Sequence, residues 1–182
     1  MNSQFWWNLT RASAIVAWAL VFFSILWGVL MATRVLRPAP RPAWMLDLHR
    51  WLGWLSVIFT ALHMTSLVAD SYVHFTLANV LLPFTGSWKP FAVSLGILAM
   101  WLLAAVQATS LAMKRMSKQA WRRVHMSSYV MFVLISVHAL LAGSDSGKRL
   151  FAAFSMAIVM MTAAAGSLRL VVGRKATQTR NN

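Results

Sequence analysis

The feature that most constrains the fold of this chain is a series of long apolar runs. The first run, Ala14–Ala32, contains no charged residue and has about the 20 residues that a helix needs to cross the hydrocarbon core of a bilayer. The chain of 182 residues is 59% hydrophobic and only 11% charged, which is too apolar for a soluble domain. A cleaved signal peptide is a less favoured interpretation of the first run, because the apolar part of such a peptide is shorter.

The runs predict an all-α integral membrane bundle in a single domain, 1–182. Its five transmembrane helices are expected over residues 14–32, 47–69, 91–113, 120–142 and 149–172. Basic residues cluster in two connections and in the tail: Arg34, Arg37, Arg41, Lys114, Arg115, Lys118, Arg122, Arg123, Arg174, Lys175 and Arg180. Because basic connections stay in the cytoplasm, the N-terminus is expected outside and the C-terminus inside. The same bias explains the net charge of +14 without a nucleic-acid partner.

Four of the five histidines form two pairs inside predicted spans, His49 with His63 and His125 with His138. At the helical rise, the members of a pair stand roughly 20 Å apart along the axis. Ionisable residues inside a membrane span are costly, so function is their default explanation. Because both helices start in the cytoplasm, His49 and His125 share the inner depth and the other two share the outer depth. Two imidazoles at each depth is the arrangement that axially ligates two stacked hemes.

The same pattern predicts roles for other residues in support of the hemes. The spacing of thirteen residues between His125 and His138 predicts a tightened 3₁₀ turn or a bend between Met126 and Val137, since a regular helix would turn the two imidazoles to different faces. Gly53 provides either room for a porphyrin or close helix packing. Basic side chains at the inner ends of the spans are candidate partners of heme propionates: Arg50, Arg122 and Arg123. The loop residues Asp70 and His74 are either an acceptor or metal site or, as we favour, ordinary solvated residues.

The paired spacings His49-x13-His63 and His125-x12-His138 resemble the heme-ligating pattern of the ferric reductase transmembrane domain, which ferric reductases and NADPH oxidases share. The stretches Ala61-Leu62-His63-Met64-Thr65-Ser66 and Trp121-Arg122-Arg123-Val124-His125 are also similar to the heme-binding membrane subunit of the bacterial methionine sulfoxide reductase system. The resemblance implies a bundle that carries electrons from a cytoplasmic flavin through b-type hemes. The chain differs in having five predicted helices rather than six and no nucleotide-binding motif.

We therefore expect a cytochrome b with two bis-histidine hemes, an oxidoreductase component of a bacterial inner membrane. The electron donor is expected to be a separate cytoplasmic flavoprotein, with FMN or FAD on that partner or at the cytoplasmic face, or a quinol. The acceptor is expected outside the membrane, with an external protein as one candidate. One alternative has a single heme at His63 and His138, with a quinone or flavin near His49, in a subunit that feeds a periplasmic reductase. A second is a non-redox scaffold or transporter whose histidines bind a metal or sense pH.

Overall fold

The first transmembrane helix is longer than the sequence predicts. The computed structural model describes residues 3–33, 42–71 and 73–143, together with the single positions 160 and 167. Helix α1 spans Ser3–Thr33 and so begins eleven residues before the predicted start at residue 14. No glycine or proline interrupts residues 3–13, so the polar and aromatic beginning of the chain continues the helix. Its Thr10 hydroxyl donates to the Ser66 hydroxyl at 2.9 Å, which fixes α1 against the next helix.

Helix α2 spans Ala43–Ala69 and follows Pro42 directly. It also begins earlier than the predicted residue 47, and Asp47 therefore lies beyond the first turn. Asp47 therefore does not complement the helix dipole, whose effect fades within the first turn. Asp47 instead accepts a hydrogen bond from Arg50 Nη1 at 3.1 Å, one turn along the exposed surface.

The connection between α2 and the next long helix contains the short helix α3, Leu77–Leu81, which begins with a reciprocal capping box between Thr76 and Asn79. Helix α4 then spans Pro90–Leu111 and is followed by a 3₁₀ turn at Met113–Arg115. Its proline at the first helical position favours the helix start, since that position needs no backbone donor.

The last described span is interrupted, as the histidine spacing predicts. Helix α5 covers Lys118–Met126 and helix α6 covers Ser128–Ala142. Between them, the backbone N–H of Ser127 donates to the carbonyl of Val124 at 3.0 Å, a tightened i→i−3 bond. The Ser127 hydroxyl donates to the same carbonyl at 2.6 Å. The turn lies inside the predicted interval and changes the direction in which side chains before and after it face.

Four helical segments of the described residues are long and apolar enough to cross a membrane: Gln4–Thr33, Ala43–Ala69, Pro90–Leu111 and Lys118–Ala142. The protein is therefore an all-helical integral membrane protein over this part of the chain. The fifth predicted helix, 149–172, lies outside the described residues apart from two isolated positions, so the count of five stays a prediction.

The core joins α1 to α4 and α6. The Trp18 and Phe132 rings stack with their centroids 6.4 Å apart, and Trp18 Nε1 donates to the Ser136 hydroxyl at 3.1 Å. Phe132 is only 1% exposed. Eight buried residues form this cluster: Trp18, Val21, Phe22, Ile25, Ala99, Leu103, Met131 and Phe132. Because the cluster lies midway along α1, it separates the two ends of the bundle, where the histidines are found.

Candidate cofactor-binding site

His49 and His125 come together at the end of the bundle that carries the basic 3₁₀ turn. The centroids of their rings lie 6.0 Å apart, with an angle of 68° between the planes. Two imidazoles on opposite sides of one metal ion, with bonds of about 2 Å, have ring centres about 6 Å apart. The separation of these two rings is therefore compatible with both imidazoles holding one metal ion between them.

His63 and His138 line one cavity at the opposite end of the bundle. The cavity has a volume of about 230 Å³, and its walls come from α1, α2, α4, α6 and the connection between α2 and α4. Most of its lining is apolar, including Leu67, Ile97 and Leu103. The two imidazoles thus line a partly open, mainly apolar cavity, and ligand sites in proteins are typically lined in this way.

Backbone carbonyls fix the orientation of the His63 and His138 imidazoles. His63 Nδ1 lies 3.0 Å from the Thr10 carbonyl oxygen, and His138 Nδ1 lies 2.7 Å from the Ala92 carbonyl oxygen. A carbonyl only accepts hydrogen bonds, so each Nδ1 must carry the hydrogen and donate. Nε2 of each ring then keeps its lone pair. This is the tautomer that binds a metal through Nε2, and a carbonyl partner is the usual support of a metal-binding histidine.

A scan against protein-family models matches residues 13–136 to the ferric reductase like transmembrane component. The chain belongs to this family. The match covers more than half of the chain and includes three of the four paired histidines, leaving His138 just beyond it. No curated protein and no solved structure matches the chain. Membership in the ferric reductase-like family indicates a membrane electron-transfer component, and domains of this family generally bind heme.

The chemistry of the paired histidines in this ferric reductase-like chain is compatible with heme. Two glycines allow neighbouring helices to approach the imidazoles closely. A Cβ atom at Gly96 would lie 2.8 Å from His138 Cε1, and one at Gly28 would lie 3.4 Å from His49 Cε1. Among the described residues, no group of three or more His, Cys, Asp or Glu side chains could hold a bare metal ion. A heme can be held by two imidazoles, and each pair contains two.

The described residues place the remaining predicted candidates as follows. Arg50 is 59% exposed and bonded to Asp47, and Arg123 lies exposed on α5 together with Arg122. Gly53 faces Gln107, because a Cβ there would lie 3.1 Å from Gln107 Oε1, so its contact is one of helix packing. The role of these arginines toward a propionate stays a prediction.

The two candidates in the connection between α2 and α4 differ sharply from each other. His74 is exposed and has a positive φ of 57°, which is uncommon for a residue other than glycine. Asp70 is buried, with 7% of its surface exposed, and its Oδ1 has no hydrogen-bond partner among the described residues. The expectation of an ordinary solvated residue therefore holds for His74 but not for Asp70.

Several residues of the two sites were missed by sequence reasoning. Gly28 and Gly96 make room for the imidazoles, Arg11 lines the cavity of His63 and His138, and Trp121 stacks on His125 with centroids 5.0 Å apart. Each glycine interrupts an apolar run, which is a visible signal. Arg11 could have been noticed as the only charged residue in the first thirty-three, had the first helix been extended to include it.

Proposed function

We propose that this protein is a b-type cytochrome that carries electrons across the membrane through two hemes. In this proposal His49 and His125 hold an inner heme, and His63 and His138 hold an outer one. The electrons come from a cytoplasmic flavoprotein carrying FMN or FAD, or from a quinol, and leave to an acceptor outside. The family supports the general role, and the pairing of histidines at two levels carries the detail.

That pairing is the single observation on which the proposal rests. Each histidine of α2 approaches the corresponding histidine of α5 or α6, since the His49 and His125 rings are 6.0 Å apart while His63 and His138 share one cavity. Within each helix the paired residues stand roughly 20 Å apart along the axis. Four histidines placed only for helix packing would have no reason to meet at matched levels across two helices.

The chemistry follows from what these side chains do. A bound heme supplies an iron that changes between the ferric and ferrous states. The paired imidazoles would hold the heme, and a heme held by two histidines would favour outer-sphere electron transfer over the binding of oxygen. The carbonyls of Thr10 and Ala92 hold the outer imidazoles by their Nδ1 hydrogens. Arg11 lines the outer cavity, and we assign it to an outer propionate, while Arg50 and Arg123 remain candidates at the inner end.

The orientation is part of the same proposal. The basic connection after α4, with Lys114 and Arg115, lies near the inner pair, and the positive-inside rule places it in the cytoplasm. The N-terminus is then outside, and a fifth helix over residues 149–172 returns the C-terminus to the cytoplasm. We expect this single domain in a bacterial inner membrane.

A single-heme subunit is the second candidate. Both nitrogens that orient the outer imidazoles contact carbonyl oxygens, whereas His49 Nδ1 contacts the Ser24 hydroxyl at a longer distance of 3.4 Å. A hydroxyl both donates and accepts, so it does not fix the tautomer of His49. This difference favours the outer pair if only one heme is present, with a quinone or flavin near His49.

A heme count on purified protein tests the proposal. Absorbance spectra before and after dithionite, with a pyridine hemochrome assay, should give two b-type hemes per chain. His63→Ala and His138→Ala should each delete the outer heme and leave the inner one. His49→Ala and His125→Ala should each delete the inner heme and leave the outer one. His74→Ala is the matched control, because His74 is exposed in the connection between α2 and α4, and it should retain both hemes.

The count also separates the alternatives. One heme in the native protein, lost only with His63 or His138, supports the single-heme subunit. A protein without heme, or one whose heme content no paired histidine affects, would refute the electron-transfer assignment of these residues.

A further inference from the structure

The indole N–H of Trp121 is a buried hydrogen-bond donor without an acceptor. Its Nε1 atom has no hydrogen-bond partner within the described part of the chain, although the atom is shielded from solvent. An indole N–H can only donate, and buried donors in native proteins are nearly always paired. The orphaned atom therefore indicates an acceptor group that does not belong to the described residues.

The position of this donor is set by one turn of α5. Trp121 lies four residues before His125, and the two rings stack with an interplanar angle of 26° and centroids 5.0 Å apart. His125 in turn faces His49. Trp121 thus lies beside the inner pair, one helical turn nearer the basic end of the bundle.

The surroundings of the donor favour an anionic acceptor. Arg122 and Arg123 follow Trp121 directly, and Lys118 lies one turn before it. The backbone N–H of Trp121 donates to the carbonyl of Ser117 at 3.0 Å, so only the indole N–H of this residue has no acceptor among the described residues. A carboxylate at the edge of a flat group held between His49 and His125 would meet both the indole N–H and this basic end.

We propose that Trp121 is a binding residue of the inner heme, whose Nε1–H donates to a propionate oxygen while its ring packs against His125. This inference rests on the proposed function. The hydrogen bond offsets part of the propionate charge next to the iron. Its removal leaves more negative charge near the iron, which favours the ferric state.

Trp121→Phe separates the hydrogen bond from the stacking, because phenylalanine keeps an aromatic ring but has no N–H. The expected result is a fall in the reduction potential of one heme, with the heme count unchanged. A threefold shift toward the oxidised form corresponds to a fall of about 28 mV, since a tenfold shift is 59 mV for one electron. Trp51→Phe is the matched control, because Trp51 lies two residues from His49 on α2 but is 65% exposed.

Potentiometric titration of both variants and the native protein gives the answer. The affected heme is identified in a His138→Ala background, which keeps only the inner heme; if that variant does not fold, the two steps are resolved in the full protein. An unchanged potential in Trp121→Phe would overturn the inference, as would an equal shift in Trp51→Phe, and either result would indicate a lipid phosphate or no acceptor at the indole. A native protein without heme would instead refute the proposed function itself.

Discussion

Gly96→Ala tests whether the outer imidazole needs the space that this glycine leaves. The added Cβ would lie 2.8 Å from His138 Cε1, 2.9 Å from Nδ1 and 3.1 Å from Cγ. The first two distances are shorter than real Cβ contacts and the third is tighter than most of them, so the imidazole must move. Movement also strains the 2.7 Å bond from His138 Nδ1 to the Ala92 carbonyl.

The magnitude follows from the cost of overpacking, which is typically about 1–3 kcal/mol. If this cost falls on the heme-bound state, the affinity for the outer heme decreases roughly 5- to 140-fold, at tenfold per 1.4 kcal/mol. The assay is heme content per chain after purification, followed by titration of the depleted protein with hemin. Binding should be restored only at higher hemin concentration than in the native protein.

Gly28→Ala is the control. Its Cβ would lie 3.4 Å from His49 Cε1, which is close to ordinary contact, so we expect both hemes to remain. Full heme content and unchanged hemin affinity in Gly96→Ala would refute the reasoning, because His138 would then not depend on the space beside it.

Three further outcomes concern stability, measured as thermal unfolding in detergent. Phe132→Ala removes a ring that is 1% exposed in the core and should cost about 3 kcal/mol or more; a change below 1 kcal/mol would contradict the packing described. Thr10→Val removes the hydroxyl bonded to Ser66 and should cost about 1 kcal/mol, while the backbone bond to His63 and the heme content persist. Asp70→Asn keeps the shape of a buried carboxylate whose Oδ1 has no partner among the described residues and should not destabilise the protein; a clear loss of stability would indicate that Asp70 has a bound cation.

Much of this architecture was predictable because bilayers impose length and polarity on a sequence. The four described spans coincide with predicted ones. Helices α1 and α2 begin earlier than predicted, because residues 3–13 and 43–46 contain no glycine or proline that would end a helix. The turn at Ser127 was predictable from the thirteen-residue spacing alone. Residues that act through close approach were not: Gly96 and Trp121 are defined by their neighbours on other turns or helices, and no periodicity encodes those neighbours.

The carbonyls that hold the outer imidazoles belong to the main chain. Every residue type at positions 10 and 92 presents the same backbone oxygen, so a substitution there keeps the proton on the same ring nitrogen as long as the helix backbone stays in place. The tautomer of each imidazole is therefore determined by the position of the helix backbone, and no particular residue type in the sequence reveals it. Redesign of this bundle must preserve the positions of α1 along α2 and of α4 along α6, even where the side chains of α1 and α4 do not contact a histidine.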